Sequence, residues 1–365
     1  MSTPSTWRGG EQQLAYLLEE LPALGIEPAL FCPQDSPLVA FTRARDIPCF
    51  TFRRRGGNLI RWGRMLGRTS YRFGADVLHA HDSKAHSLAV IAQGLPHVRT
   101  PVVVSRRVDF VPNKTVFSRW KYNHHAVRAY LCISQAIAQI MRTAIRQPDK
   151  VHVVPSGIDL NRPFPPAHGR LRHELGLNAD NKSRPLIGNV AALAPHKDHI
   201  TFVNTARVLV HEMGIDAHFV LIGGDGGEEK RVRQYIQKYQ LQDRFHLLGF
   251  RQDVSALLAD FDLFLFTSKT EGLGTAVLDA FKCRIPVVAT NAGGIPESVI
   301  HEKTGLIAGV GDARGLAEQV QRLLTHAEWS EKVVQGALEH LRRFDKSQMA
   351  QGNAYYYKII FTNEP

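Results

Sequence analysis

Cysteine is scarce in this chain. The four residues, Cys32, Cys49, Cys132 and Cys283, form no CxxC pair and no zinc-type spacing, which excludes a disulfide framework and a cysteine-built metal site and fits core thiols in a reducing compartment. Long apolar runs are lacking as well: no stretch reaches the ~18 residues that a membrane-spanning helix requires. Met1 to Thr6 show neither the basic start nor the apolar centre of a secretory signal, so the expected location is the cytoplasm. There is no internal repeat at a solenoid period and no low-complexity tract. A further absence is local. The glycine turn Trp7-Arg8-Gly9-Gly10 and the helix expected over Glu11–Leu21 arrive with no strand before them, whereas a nucleotide-binding α/β half normally opens with one.

What is present points to two α/β halves. At 365 residues with 44% hydrophobic and 22% charged residues, the chain exceeds one ordinary domain and suffices for two, each with its own core. Short β-branched runs alternate with helical stretches, as in parallel βαβ units. Strands are expected at Ala29–Cys32, Val77–Ala80, Val102–Ser105, Tyr130–Ile133 and Val151–Val154, then at Leu186–Val190, Phe219–Ile222, Phe245–Leu248, Leu263–Phe266 and Pro286–Ala289. Between the two sets, Pro155-Ser156-Gly157 and Pro163, Pro165 and Pro166 have a linker composition. The expected fold class is therefore α/β with two doubly wound domains, 1–165 and 166–345, followed by an amphipathic helix within 346–365, around Tyr355, Tyr356 and Tyr357.

Charge divides unevenly between these halves. Of the net charge of +11, residues 1–165 hold all of it, with 22 Lys and Arg against 11 Asp and Glu, while residues 166–365 carry 23 of each. The first half should thus meet an anionic partner: a phospholipid surface, a phosphorylated acceptor or nucleic acid. Arg61, Arg64, Arg68 and Arg72 recur at helical spacing just after Arg53-Arg54-Arg55, with Trp62, Met65, Leu66 and Phe73 interleaved. That pattern suits a helix on an anionic membrane surface and equally a solvated outer helix face. Lys114, Arg119, Lys121 and Arg128 extend the basic bias. No recognised module accompanies this charge, so nucleic acid is not expected as a partner.

The residues with most chemistry come after Leu263–Phe266. In Ser268-Lys269-Thr270-Glu271-Gly272-Leu273-Gly274-Thr275, two glycines let backbone approach a ligand, and a helix starting near Thr275 points free amides at it, a site for a diphosphate. Glu271 before that helix and Asp279 about a turn inside it suit hydrogen bonds from a ligand's hydroxyls. A plain glycine turn with an acid favouring the helix dipole would look the same. Gly223-Gly224-Asp225-Gly226-Gly227 reads as an ordinary βα turn.

The block from Glu271 to Asp279, continued by Pro286–Thr290 and Gly293-Gly294-Ile295-Pro296-Glu297, resembles glycosyltransferase family 4, a group of retaining enzymes of the two-domain GT-B fold. Trp7–Gln13, Asp76–His81, Val154–Asp159 and Leu193 with Pro195 and Lys197 resemble further landmarks of that family, in its order along the chain. The resemblance implies that Glu271 faces the transferred hexose, that Asp279 binds the ribose hydroxyls, and that Gly272, Leu273, Gly274 and Thr275 offer amides to hexose and diphosphate. It implies that Lys197 neutralises the leaving phosphates without a metal or other cofactor, and that Gly9 and Gly10 approach the donor. The family's second acid is mostly glutamate, where this chain has Asp279. Ala192 stands where a basic residue is usual, and Arg107 where many relatives have a histidine near the acceptor. Arg107 and His81 are accordingly the expected acceptor contacts, with Asp109 the nearest carboxylate for an assisting role. Arg251 and Asp253 fall where relatives contact the base. The implied activity moves a sugar from a nucleotide-diphosphate sugar to an anionic glycan or glycolipid acceptor, such as lipopolysaccharide core, at the inner face of the membrane. A nucleotide-sugar epimerase on the same fold, or a non-catalytic nucleotide-sugar-binding scaffold, are the rival readings.

Overall fold

A computed structural model describes residues 1–113, 115–163, 169–177 and 184–362; Lys114, Pro165 and Pro166 lie outside them. The chain divides into two compact units, Met1–Asp159 with Phe344–Pro365, and Leu160–Arg343. No helix among the described residues is long and apolar enough to cross a membrane.

The first unit holds two parallel sheets. Strand β1 (Leu30–Pro33) pairs with β2 (Cys49–Phe52); a separate sheet runs in the order β3 (Leu78–Ala80), β4 (Val102–Arg106), β5 (Val127–Cys132), β6 (Val151–Val153). Strand β1 and the Val102–Val104 stretch of β4 are buried apolar runs, as in parallel strands with helices on both faces. Side-chain caps fix the helix starts: Asn58 Oδ1 accepts from the Arg61 amide at 2.9 Å, and Asp82 Oδ1 from the Lys84 and Ala85 amides at 2.9 Å each. The basic helix Leu59–Phe73 docks through glycines. A Cβ at Gly63 would lie 2.5 Å from Ile91 Cγ2 and one at Gly67 2.8 Å from Leu95 Cδ1, so this face meets the helix Ser83–Ala92 backbone to side chain. Arg61, Arg64, Arg68 and Arg72 consequently face outward and are exposed.

The closing helix Lys346–Thr362 belongs to this unit. Lys346 Nζ reaches Asp159 at 3.1 Å and Glu20 at 3.2 Å, and the Tyr356 ring stacks on His152 with centroids 4.3 Å apart. The opening helix spans Gly9–Glu20, two residues ahead of the Glu11 start expected from sequence.

The second unit has one six-stranded parallel sheet, β12 (Leu306–Ala308), β11 (Val287–Thr290), β10 (Leu263–Phe266), β7 (Leu186–Val190), β8 (His218–Ile222), β9 (Phe245–Leu247). The chain builds outward from β7 through β8 to β9, then returns to the other side of β7 and builds outward again. β7 and β10 are therefore the pair where strand order reverses, and ligands of such sheets bind beyond the carboxyl ends of that pair. Gly188 in β7 leaves room for Phe261, whose ring would lie 2.0 Å from an added Cβ.

Candidate functional site

At that reversal point the loops after β7 and β10 are joined. Lys197 lies beyond β7 in the turn Pro195–Lys197, Glu271 lies beyond β10, and the Lys197 ammonium pairs with Glu271 Oε2. Both side chains are largely but not fully buried. Ser268 Oγ donates to the same oxygen at 3.4 Å. The loops are further pinned by Thr267 Oγ1 donating to the Asp198 carbonyl at 3.1 Å, by the Lys269 amide donating to the His196 carbonyl at 2.8 Å, and by Lys269 Nζ lying 3.3 Å from Asp198 Oδ1. Asp198, buried and left-handed at φ 49°, is held by Thr201 Oγ1 at 2.6 Å. A cation is thus fixed beside the glycine loop by backbone as well as charge.

The glycine loop itself is shaped by β11 and by the segment Gly293–Ser298 beyond it. Thr290 Oγ1 donates to the Ser268 carbonyl at 2.6 Å, the Gly294 amide to the Glu271 carbonyl at 2.9 Å, and Ser298 Oγ to the Leu273 carbonyl at 3.0 Å. Gly293 has φ 51°, and a Cβ there would stand 2.2 Å from Glu271 O. Gly274, at φ 77°, precedes the helix Thr275–Lys282, which has no side-chain cap. The Val277 amide turns back to Gly274 O at 2.9 Å, so the amides of Thr275 and Ala276 lack intrahelical acceptors, as the first amides of any helix do. Gly272, Leu273, Gly274 and Thr275 thereby surround one end of a helix dipole next to Lys197.

Asp279 is half-buried on this helix. Burial raises its carboxyl to about 6, and Lys282 and Arg162 only partly oppose that. Its charged neighbours thus differ from those of Glu271. His199, just after the lysine turn, is held to about 4 chiefly by burial and lies 3.2 Å from the Ala192 carbonyl. The glycines after β8 pack on the 191–194 turn: a Cβ at Gly223 would meet Ala191 O at 1.9 Å, and the Gly226 amide donates to Leu193 O at 3.0 Å. Arg251 is engaged by Asp253 at 2.8 Å and by Glu174.

In the first unit, Arg107 Nη1 and Nη2 each lie 3.2 Å from His81 Nδ1. Guanidinium nitrogens only donate, so Nδ1 accepts and the His81 proton sits on Nε2. Burial holds His81 well below its ordinary value, helped by His79 and Arg107, and lowers Arg107 to about 10. At neutral pH the pair is a neutral imidazole against a cation. Gly9 and Gly10 are the first residues of the opening helix, where the Arg8 amide donates to Glu11 Oε2 at 3.1 Å. A Cβ on either glycine would meet nothing within 4 Å. Asp109 is half-buried in the loop after β4, and no ion pair to it occurs among the described residues. Gly157 is structural, since its backbone exchanges two 2.7 Å hydrogen bonds with the Gln13 amide, and a Cβ there would lie 2.6 Å from Lys346 Cα.

Several contacts within the site carry no signal in the sequence. Ser268, Thr267, Asp198 and Thr290 act across loops, and His79 bonds Tyr357 Oη at 2.5 Å and Ser105 Oγ at 2.8 Å. Only an amphipathic closing helix with three consecutive tyrosines hints at the last of these.

Residues 7–162 match the family model described as Glycosyltransferase Family 4, and residues 177–340 that of Glycosyl transferases group 1. The N-acetyl-alpha-D-glucosaminyl L-malate synthase of Bacillus anthracis is 27% identical over 305 residues, 81% of this chain and 78% of that protein. The UDP-Gal:alpha-D-GlcNAc-diphosphoundecaprenol alpha-1,3-galactosyltransferase of Escherichia coli is 27% identical over 266 residues, covering 70% of this chain and 67% of that protein. Among solved structures, Anabaena Alr3699/HepE in complex with UDP superposes with a TM-score of 0.83 at 22% identity over 98% of each chain. The lipopolysaccharide outer core galactosyltransferase WaaB in its apo form superposes with a TM-score of 0.75 at 13% identity, over 98% of this chain and 100% of that one. The fold is GT-B, with two Rossmann-like units.

Proposed function

Because the chain belongs to the glycosyltransferases, with a Family 4 half and a group 1 half, we propose that it moves a sugar, with retained anomeric configuration, from a nucleotide-diphosphate sugar to a lipid-linked acceptor of cell-envelope glycan synthesis, of which lipopolysaccharide core is one. The observation that carries this reading is the Lys197–Glu271 pair at the carboxyl ends of β7 and β10, set against the uncapped helix at Thr275. A diphosphate there meets an ammonium and free amides, and the hexose hydroxyls meet the Glu271 carboxylate.

In the proposed step the bond from the sugar's anomeric carbon to the β-phosphate oxygen breaks. Lys197 and the amides of Gly272 to Thr275 stabilise the departing charge, an arrangement made before the reaction starts and therefore free of reorganisation. The acceptor oxygen bonds to the same face of the anomeric carbon, and its proton passes to the departing phosphate oxygen. No strong enzymic base is required, which leaves Asp109 at most an assisting role. Asp279 holds the ribose hydroxyls. In the basic unit, Gly9 and Gly10 present backbone to the donor, while Arg107 and His81 contact the acceptor.

The acceptor class is supported by surface chemistry. Phe110, Val111, Val116, Phe117 and Trp120 are exposed in and after the loop carrying Arg107, Val116 at 87%. Ile60, Met65 and Tyr71 are exposed among the arginines of the helix Leu59–Phe73. Apolar side chains interspersed with arginine suit the surface of an anionic membrane, on which a lipid-linked acceptor is presented.

Thermal shift with a panel of nucleotide sugars, UDP-linked first, identifies the donor, since a ligand bound only by the folded chain raises its midpoint. Nucleotide release from that donor is then followed with and without diphosphate-linked lipid acceptors. Release that depends on acceptor supports transfer. An epimerised donor, or binding without any turnover across acceptors, overturns it.

A further inference from the structure

Four side chains of the first unit form a block on one face of its larger sheet. Residues two apart on a strand share a face, so His79 and His81 project together from β3 and its carboxyl end, and Ser105 and Arg107 from β4 and its carboxyl end. The two strands pair in parallel, with His79 opposite Val103. Each tier of the block is tied across them: His79 Nε2 lies 2.8 Å from Ser105 Oγ, and His81 Nδ1 lies 3.2 Å from both Arg107 Nη atoms. One group reaches the block from 278 residues away in sequence. It is Tyr357 of the closing helix, whose Oη lies 2.5 Å from His79 Nδ1.

The two tiers are held unequally. Burial holds His79 well below its ordinary value and raises the Tyr357 phenol, so both are neutral at neutral pH, and one ring nitrogen of His79 accepts while the other donates. That ring is therefore fixed at both nitrogens. The His81 ring has on Nδ1 only the guanidinium, at the long end of hydrogen-bond distances, and rests against the His79 ring with centroids 4.0 Å apart and planes at 36°. The loosely bonded ring thus leans on the tightly bonded one. Arg107 keeps a buried Nε with no partner among the described residues, a donor still available to an anion.

The closing helix is itself set in place. Lys346 anchors its start on Asp159 and Glu20, Gly352 lets it lie close to Val154, whose Cγ1 would stand 3.0 Å from an added Cβ, and Tyr357 follows about three turns after Lys346. Arg107 is near enough to Tyr357 for its charge to oppose the rise in the phenol.

We propose that Tyr357 is a positioning residue for acceptor binding: by fixing the His79 ring, it orients the His81–Arg107 pair toward a phosphate-bearing acceptor. The inference rests on the reading of His81 and Arg107 as acceptor contacts. Tyr357 touches no ligand in this arrangement and acts through two stacked imidazoles. Without its hydroxyl, His79 is held by Ser105 alone, and its ring can turn about a torsion that has broad minima. The support behind His81 then loosens, and with it the direction of the guanidinium. Tyr356 stacks on His152 instead and serves as the control.

The test uses the full chain with isotope-labelled histidine, the imidazole nitrogen signals of His79 and His81 being assigned through His79→Gln and His81→Gln. Farnesyl diphosphate, a soluble lipid diphosphate, is the probe, and in the unaltered chain it should shift the His81 signals saturably. Tyr357→Phe keeps the ring and removes only the hydroxyl. It should change the His79 and His81 signals before any ligand is added and weaken the apparent Kd for the probe by about tenfold, while the thermal midpoint falls by no more than about 4 °C. Tyr356→Phe should do none of this. Unmoved His81 signals, or equal probe affinity, in Tyr357→Phe overturns the positioning role and leaves the acceptor reading standing. A probe that shifts no His81 signal in the unaltered chain removes the acceptor contacts themselves, and the proposal with them. A weakening shared by Tyr356→Phe, or a larger fall in midpoint, makes Tyr357 a packing residue and overturns the proposal too.

Discussion

Lys197 and Glu271 stand 74 residues apart in sequence and meet as an ion pair because β7 and β10 are neighbours in the sheet. With both side chains largely but not fully buried, the pair is a poor stabiliser, since desolvating two charges offsets most of their attraction. It suits the proposed phosphate site, where the lysine, already held in place, would exchange one anion for another.

Lys197→Ala should therefore lower kcat/KM by roughly 10²–10³, the usual loss when one preorganised donor to developing charge is removed. Lys197→Arg should recover only part of it, because a planar fork does not reproduce a point charge. Glu271→Gln keeps the loop's shape and should lower kcat with little change in thermal midpoint. Steady-state kinetics on the three variants checks this; wild-type turnover in Lys197→Ala would remove the lysine from the mechanism.

Much of this site is legible in the sequence. A strand, a two-glycine turn and a helix start lie within a dozen residues, and each has a local signal. The hidden part depends on which strands are adjacent. Nothing near Thr290 or Asp198 says that β11 and β7 flank β10, so their hold on the loop is invisible along the chain. The edge strands β2 and β12 do not stand among the expected strands; length alone is not the reason, since β3 and β9 are equally short and do.

Asp279 gives a pH prediction. Its folded value of about 6 lies above the 3.8 of an unperturbed carboxyl, so between those values the folded state binds the proton more tightly. Stability should fall as pH rises from 4 to 6 and then level off, the ionised group costing at most about 3 kcal/mol at pH 7. Asp279→Asn removes that dependence. It should raise the midpoint at pH 7.5, change little at pH 4, and weaken donor binding if the carboxylate holds hydroxyls. Paired melts at the two pH values decide it; an equal shift at both would refute the assignment.

Two glycines should respond oppositely to alanine. At Gly293, φ 51° and a Cβ position 2.2 Å from Glu271 O mean that the glycine loop must move, so Gly293→Ala should cost about 1–3 kcal/mol of stability together with activity. At Gly10 the added methyl meets nothing within 4 Å and sits at a helix start, so Gly10→Ala should leave the midpoint unchanged or slightly raised. A loss of donor affinity in Gly10→Ala without a stability change would mark a surface that the ligand approaches. Unchanged affinity would make this turn purely structural. Thermal melts and donor titrations on both variants separate these outcomes.

The basic helix carries the last prediction. Its glycine face is fixed by Ile91 and Leu95, so Arg61, Arg64, Arg68 and Arg72 are free to be changed without touching the core. Each arginine near an anionic bilayer contributes about 1 kcal/mol of attraction that salt screens. Replacing Arg64, Arg68 and Arg72 together by serine should thus weaken binding to vesicles rich in anionic lipid by ~100-fold at low salt, and by much less at about 0.5 M salt. Binding to neutral vesicles and the thermal midpoint should stay as they are. Turnover on a short-chain, water-soluble acceptor should also be preserved, while turnover on the membrane-embedded acceptor drops. Equal loss on both acceptors would mean that these arginines act on the glycan itself, and no loss on either would make the helix a solvated outer face.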